Sequence, residues 1–360
     1  MANILITGGC GFVGSNLAVW LSAQGHCVTA FDNLSRRGSE MLLRRILNQG
    51  VAFRHGDIRN PEDLERLAGD FSVMIECSAE PSVLVGTQGA DARFMVNNNL
   101  VGSLNCFELA RRRRMAVIFM STSRVYPYDA INACSFRESA TRFELAREQA
   151  GISMRGVASN FPLQGVRSLY GATKLASELI LQEYGAQYDL PCVINRCGVI
   201  AGPWQLGKVD QGVFTFWLAN HYFKKPLKYI GFGGHGKQVR DLLHIDDLLD
   251  LIGMQVERLE GQAANGPALL RGAIFNAGGS TISNLSLAET TALCRNITGN
   301  RIEIGSDPAN RPADVIWYVT DNGDTQPVWG WQPKRTPEQI LGDTFTWLRE
   351  HESDFKQVLG

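Results

Sequence analysis

The sequence has no C-x-x-C pair and no regular cysteine spacing; its eight cysteines stand singly. This argues against a disulfide framework and against a thiolate metal site, and Cys77, Cys192 and Cys197, lying in apolar runs, read as small buried hydrophobes. Histidine is scarce as well. Its six copies show no metal-ligand spacing, so no structural or catalytic metal is expected. Net charge is nearly absent: 35 basic and 36 acidic residues leave −1, which excludes a global field favouring nucleic acid or membrane. The local exception, the arginine run 111–114, follows a helical pattern (Leu100, Leu104, Phe107, Leu109) and reads as a solvated helix C-terminus, where cations suit the dipole. There is no internal repeat, no low-complexity tract, and no charged leader with an apolar segment before the first strand. A reducing cytoplasm is the expected compartment.

What is present is a glycine array in a strong context. Gly9, Gly11 and Gly14 stand in G-x-G-x-x-G spacing, Gly8 adds G-x-x-G-x-x-G, an apolar run (Ile4, Leu5, Ile6) precedes and an amphipathic stretch (Leu17, Trp20, Leu21) follows to Gly25. Glycine lets backbone turn sharply and approach phosphate, and the following helix offers free N–H groups and a positive dipole end. The next apolar run, 28–31, ends in Asp32, at the offset where an acid hydrogen-bonds the adenosine ribose. A dinucleotide-binding turn is the reading.

At 360 residues and 44% hydrophobic content the chain can bury a large core. Short β-branched runs recur at 4–7, 28–31, 51–54, 73–77, 117–121, 192–196 and 273–276, alternating with helical patterns. Such alternation predicts an α/β fold, a Rossmann-type doubly wound parallel sheet, with a smaller interleaved C-terminal substrate-binding domain. Two long excursions, 127–168 and 202–244, break the rhythm, and such excursions are usually functional. The expected division is 1–198 with 245–282 for the nucleotide domain and 199–244 with 283–360 for the substrate domain. The stretch 257–272 reads as an exposed loop.

Tyr170 and Lys174 lie four apart in SLYGATKLASEL, whose pattern is helical, so phenol and ammonium share one face. A free phenol has a pKa near ~10, and a base working at neutral pH needs it depressed by adjacent positive charge. Ser121, Thr122 and Ser123 fall just past the carboxyl end of a parallel strand, where open α/β sheets bind ligands. Thr122 is placed to hydrogen-bond a reacting substrate hydroxyl and relay its proton to Tyr170.

Together TGGCGFVG (7–14), FDNLS (31–35), GDI (56–58), STSRVY (121–126), YGATK (170–174) and GKQVRDLLHIDD (236–247) resemble the extended short-chain dehydrogenase/reductase family, the nucleotide-sugar epimerases and dehydratases. Within it, FDNLSRRGSE, the DQG at 210–212, GKQVRD, RESATRF (137–143) and FPLQGVRSLYG are similar to segments of the CDP-paratose 2-epimerases. The resemblance implies an enzyme that epimerises a nucleotide-diphosphate sugar through a transient ketone with tightly bound NAD. It implies catalysis by Thr122, Tyr170 and Lys174. Cofactor contacts would come from Gly8, Gly11, Phe12, Val13, Gly14, Asp32, Asn33, Asp57, Ile58, Ser78, Ala79, Asn99 and Ser121, together with Tyr170 and Lys174. Substrate contacts would come from Ser123, Arg124, Gln211, Lys237, Gln238, Arg240 and Arg311, the arginines of QVRD and RPAD serving the diphosphate. For Arg240 and Arg311 the competing reading is an ion pair with Asp241 or Asp314. His244, between Leu243 and Ile245, reads as local support for its strand.

NAD is favoured over NADP because the Asp32 carboxylate repels a ribose 2′-phosphate, although Arg36 and Arg37 stand nearby. The family also implies a homo-oligomer. Departures are visible: Glu76, Cys77, Ser78, Ala79 and Glu80 replace a histidine and small residues after the fourth strand, and Val199 replaces an asparagine. Ser123 and Arg124 stand where the family's dehydratases carry an Asp-Glu pair, which argues against 4,6-dehydration. A UDP-hexose 4-epimerase, a net dehydrogenase and a non-catalytic NAD sensor are the rival readings.

Overall fold

The computed structural model describes residues 1–85, 91–206, 212–265 and 270–359. Its main sheet holds seven strands: β1 (Asn3–Thr7), β2 (Cys27–Asp32), β3 (Ala52–His55), β4 (Val73–Glu76), β5 (Ala116–Thr122), β6 (Cys192–Cys197) and β7 (Arg271–Ala277). Their order is β7-β6-β5-β4-β1-β2-β3. The pairs β1/β2, β1/β4, β2/β3 and β4/β5 are parallel, with Thr7 in register with Phe31 on one side and with Glu76 on the other. The strand order reverses between β1 and β4, and in such sheets ligands bind at the carboxyl ends beside that switch point. Every residue of β5 and β6 is buried, which their near-continuous apolarity foretold.

The chain separates into two compact units of nearly equal size. The first comprises Met1–Thr122, Leu169–Arg196 and Leu249–Phe275, and the second Ser123–Ser168, Cys197–Leu248 and Asn276–Gly360. This corrects the expected division, which assigned 123–168 to the nucleotide domain and made the other domain the smaller. The segment belongs elsewhere because its backbone bonds other parts of the second unit: Val157 exchanges bonds with Val319 and Asp321, and Phe143 donates to the Lys237 carbonyl. Within the second unit, Val239–His244 pairs with Val199–Ala201, Asn284–Ser286 and Trp317–Tyr318.

In the first unit, α1 (Phe12–Ala23) follows the glycine turn and α2 (Gly102–Arg113) ends in the arginine run, with Arg114 left-handed at φ 55° as its C-cap. α3 (Leu169–Tyr188) carries the Tyr170/Lys174 pair. α4 (Ile245–Asn265) corrects a second expectation, because 257–265 is helix rather than exposed loop. Leu248, Ile252, Val256 and Leu259 are buried at helical spacing, an apolar stripe that outweighs the polar residues between them. Among the described residues no helix is long and apolar enough to cross a membrane, and no three His, Cys, Asp or Glu side chains cluster as metal ligands. All eight cysteines are free thiols.

Candidate functional site

The first site is the turn between β1 and α1. Gly8 has φ +66°, a left-handed conformation that favours glycine, and a Cβ there would lie 2.8 Å from the backbone nitrogen of Ser78. A Cβ on Gly14 would strike the Gly8 carbonyl oxygen. The turn therefore winds tightly enough that only bare backbone fits, with the loop after β4 running alongside it. Gly11 is the N-cap of α1 and brings no side chain to its first turn, so the N–H groups of Phe12, Val13 and Gly14 are not capped by a side chain. That is a cradle for an anion. Replacing Gly14 with valine is expected to yield protein that carries no bound dinucleotide. Nucleotide released by denaturation and counted per chain checks this, and a wild-type count would contradict it.

Asp32 stands at the end of β2, half-buried, with Oδ2 accepting from the Cys10 N–H at 3.0 Å and Oδ1 from Leu34 at 2.8 Å. Burial pushes its carboxyl above the usual range, against the pull of those two N–H groups. The Asn33 amide donates to Asp57 Oδ2 at 2.9 Å. Arg59 holds the Asp57 carboxyl down at about 2, chiefly by hydrogen bonding. Ile58 is buried, with its side chain against Gly102. Asp32, Asn33, Asp57 and Ile58 thus form a connected border beside the cradle. Asn99, expected as a cofactor contact, is bonded to protein: it accepts from the Glu80 N–H at 2.8 Å and donates to the Glu80 carbonyl at 3.0 Å. The amide is a tether for the loop containing Ser78 and Ala79.

Thr122 ends β5 and is buried, while Tyr170 sits half-buried in the first turn of α3 with Lys174 one turn later. The Lys174 ammonium is 1% exposed, 3.5 Å from Glu76 Oε2 and 4.0 Å from the centroid of the Phe119 ring. Ser121 donates its hydroxyl to Glu178 Oε1 at 2.5 Å, and Arg196 grips the same carboxylate through Nε at 3.0 Å and a terminal nitrogen at 2.7 Å. The Ser121 side chain is thus spent on anchoring β5 to α3. Neither Glu76 nor the Glu178–Arg196 pair was expected from sequence as part of the site. The one available signal was an acid ending an otherwise apolar strand.

The second unit contains its own cleft, lined among others by Ser123, Arg124, Arg167, Arg240, Tyr128 and Tyr318. Arg240 bonds Asp314 at 2.5 Å, not Asp241, and also donates to the Val315 and Val239 carbonyls. Burial pulls its guanidinium pKa down, Asp314 pulls it up and Arg124 lowers it again. Asp241 instead accepts N–H groups from Ser280 and Thr320, and burial raises its carboxyl to about 6. Arg311 is half-buried and is not among the lining residues. Two expected substrate contacts have protein partners. Lys237 donates to Glu138 at 2.7 Å and to the Ser139 carbonyl, and Gln238 is buried with its amide on the Ile230 carbonyl. Gln211 lies outside the described residues. Arg167 is the lining cation that sequence reading missed, though it lies in the FPLQGVRSLYG segment. His244 is buried in its strand and accepts from the Asp246 N–H, the local support expected of it.

Residues 4–278 match the profile of the NAD dependent epimerase/dehydratase family. The chain belongs to this family. It is an enzyme, its cofactor is NAD, and the glycine cradle with its uncapped first turn fits the dinucleotide's diphosphate. Among curated relatives it is 29% identical to a CDP-paratose 2-epimerase of Salmonella typhi, covering 96% of this chain and 98% of that one. It is 24% identical to a UDP-glucose 4-epimerase of Neisseria meningitidis, over 99% of both. The solved structure of a Thermus thermophilus UDP-glucose 4-epimerase with NAD superposes with a TM-score of 0.73 at 25% identity, over 96% of this chain and 98% of that one.

Proposed function

We propose that this family member epimerises a nucleotide-diphosphate sugar through a transient ketone, and that its substrate is a CDP-linked deoxyhexose inverted at carbon 2. What supports the substrate is the likeness to CDP-paratose 2-epimerase along nearly the whole of both chains. What supports the chemistry is the phenol and ammonium one helical turn apart on α3, in the same unit as the glycine cradle and Thr122. Tyr170 takes the proton of a secondary sugar hydroxyl that Thr122 holds by hydrogen bond, and Lys174 favours the phenolate. The glycine turn at Gly8, Gly11 and Gly14 would hold NAD, which would supply a reversible hydride acceptor for the reacting carbon. Tyr170 then gives back the proton to the sugar oxygen, and the cofactor is regenerated, so tight retention of NAD is expected.

Gly8, Gly11, Phe12, Val13 and Gly14 face the diphosphate of NAD in this reading, and Asp32 its adenosine ribose. Arg240, Arg124 and Arg167, which line one cleft, meet the substrate's diphosphate. The free cysteines suit a reducing compartment, and exposed Val101 and Leu179 suit helix-mediated self-association.

Mass spectrometry of small molecules released by denaturing the isolated protein tests the reading. NAD with a CDP-sugar is expected; a UDP-sugar would transfer the assignment to a hexose 4-epimerase, the reading favoured by the UDP-glucose 4-epimerase relatives. Deuterium at the reacting carbon is expected to stay in the product. Its loss to solvent would replace hydride transfer by deprotonation at carbon.

A further inference from the structure

Glu76 ends β4 with its side chain wholly buried, although nothing in the proposed chemistry asks for an acid there. Its Oε2 faces Lys174 Nζ at 3.5 Å and the Ser103 hydroxyl at 3.4 Å. Ser103 in turn donates to the Asn99 carbonyl at 2.8 Å, and Ser177 of α3 donates to the same oxygen at 3.2 Å. The Lys174 ammonium is therefore enclosed between a carboxylate and the face of Phe119. Burial pushes the Glu76 carboxyl up, while Lys174, the Ser78 N–H and Ser103 pull it back. The titratable groups facing it are Lys174 on α3 and the Cys106 thiol on α2, the latter raised well above its usual value by burial and by the Glu76 charge. Thr7 of β1 and Phe119 of β5, its neighbours in strand register, do not titrate in the working range.

A buried ammonium without a counter-charge is costly, so one function of Glu76 is to stabilise Lys174 in its place, beside the face of Phe119. A second follows from the helix. Tyr170 and Lys174 stand at i and i+4, about 5–6 Å apart at Cβ, so any group that neutralises the ammonium also weakens its effect on the phenol. We propose that Glu76 is a positioning residue for proton transfer at Tyr170: it fixes the Lys174 ammonium and, by partly cancelling that charge, sets the acidity of the phenol. The proposal rests on Tyr170 being the base, and its test reads the phenol directly, without sugar or turnover.

The NAD-bound protein as isolated is titrated by phenolate absorbance, with Tyr170 isolated by subtracting the spectrum of Tyr170→Phe in each background. In Glu76→Gln the Lys174 charge is uncompensated, and the Tyr170 midpoint is expected to fall by about one pH unit. Glu76→Asp, which keeps the charge, is expected to return it toward wild type. A Glu76→Gln midpoint equal to or above wild type overturns the proposal. Should Glu76→Gln not fold, thermal midpoints of Lys174→Met decide. There the lone buried carboxyl holds its proton in the folded protein while the unfolded chain ionises above about 4.3, the ordinary value, so stability is expected to decline with rising pH more steeply than in wild type. Adding Glu76→Gln is expected to flatten that decline. A double variant no more stable than Lys174→Met overturns the pairing and the proposal with it. If instead no CDP-sugar turns over while the phenol shifts as stated, the substrate assignment fails and the Glu76 role stands.

Discussion

Tyr170→Phe is expected to lower epimerisation by about a hundred- to ten-thousand-fold, the usual worth of a positioned acid–base group, while the protein keeps its NAD. The change removes one oxygen from a half-buried side chain in the first turn of α3 and leaves the ring in place. Lys174 keeps its place against Glu76 and Phe119, neither of which involves the phenol oxygen. The cradle formed by Gly8, Gly11 and Gly14 depends on backbone from β1 and the loop after β4, not on Tyr170. Turnover and cofactor content should therefore separate. Steady-state rates with the sugar nucleotide, set beside NAD released per chain, check this. An unchanged rate would remove Tyr170 as the base, and loss of NAD together with activity would recast it as a cofactor-holding residue.

Arg196→Met is expected to destabilise the protein by about 3–5 kcal/mol, because it strands the Glu178 carboxylate inside the first unit. Both side chains are at most 2% exposed, so solvent screens little of the interaction. Glu178 would keep only the Ser121 hydroxyl as a donor from this trio, and that hydroxyl lies one residue before Thr122. Catalysis should suffer less than stability at low temperature, since Thr122, Tyr170 and Lys174 are not in the pair. Adding Glu178→Gln to Arg196→Met is expected to recover part of the loss, as the uncompensated charge is then gone. Urea denaturation of the two variants and wild type provides the comparison. Equal stability of Arg196→Met and wild type would mean that water or another group satisfies Glu178.

Much of the first unit was legible because its signals are local. Each of the seven short apolar runs is a strand, since β-branched side chains favour extended backbone and strands covered on both faces need no alternation. Tyr170 and Lys174 share a helix face because 3.6 residues per turn brings i and i+4 together wherever the helix forms. The stretch 257–265 was misjudged for the opposite reason. Its glutamate, arginine and glutamine residues look like a loop until Val256 and Leu259 are seen completing the buried stripe of α4.

The charged partnerships were not legible. Lys237 looked like a free cation for a diphosphate, yet it bonds Glu138, ninety-nine positions away, and Arg240, for which an ion pair with Asp241 or Asp314 was the competing reading, bonds Asp314, seventy-four away. Nothing in the neighbouring letters announces such a contact.

By itself, the sequence determined where the strands run, that a dinucleotide turn opens the chain, and which phenol and ammonium share a helix. These follow from backbone geometry and burial, which act over a few residues. Only the tertiary structure decided that Glu76 is the counter-charge of Lys174, that Asn99 tethers a loop, that Ser121 is bound to Glu178, and that 123–168 belongs to the second unit. Each of those outcomes depends on which distant side chain meets a buried polar group first. Desolvation makes that meeting obligatory, and only the folded chain determines the partner.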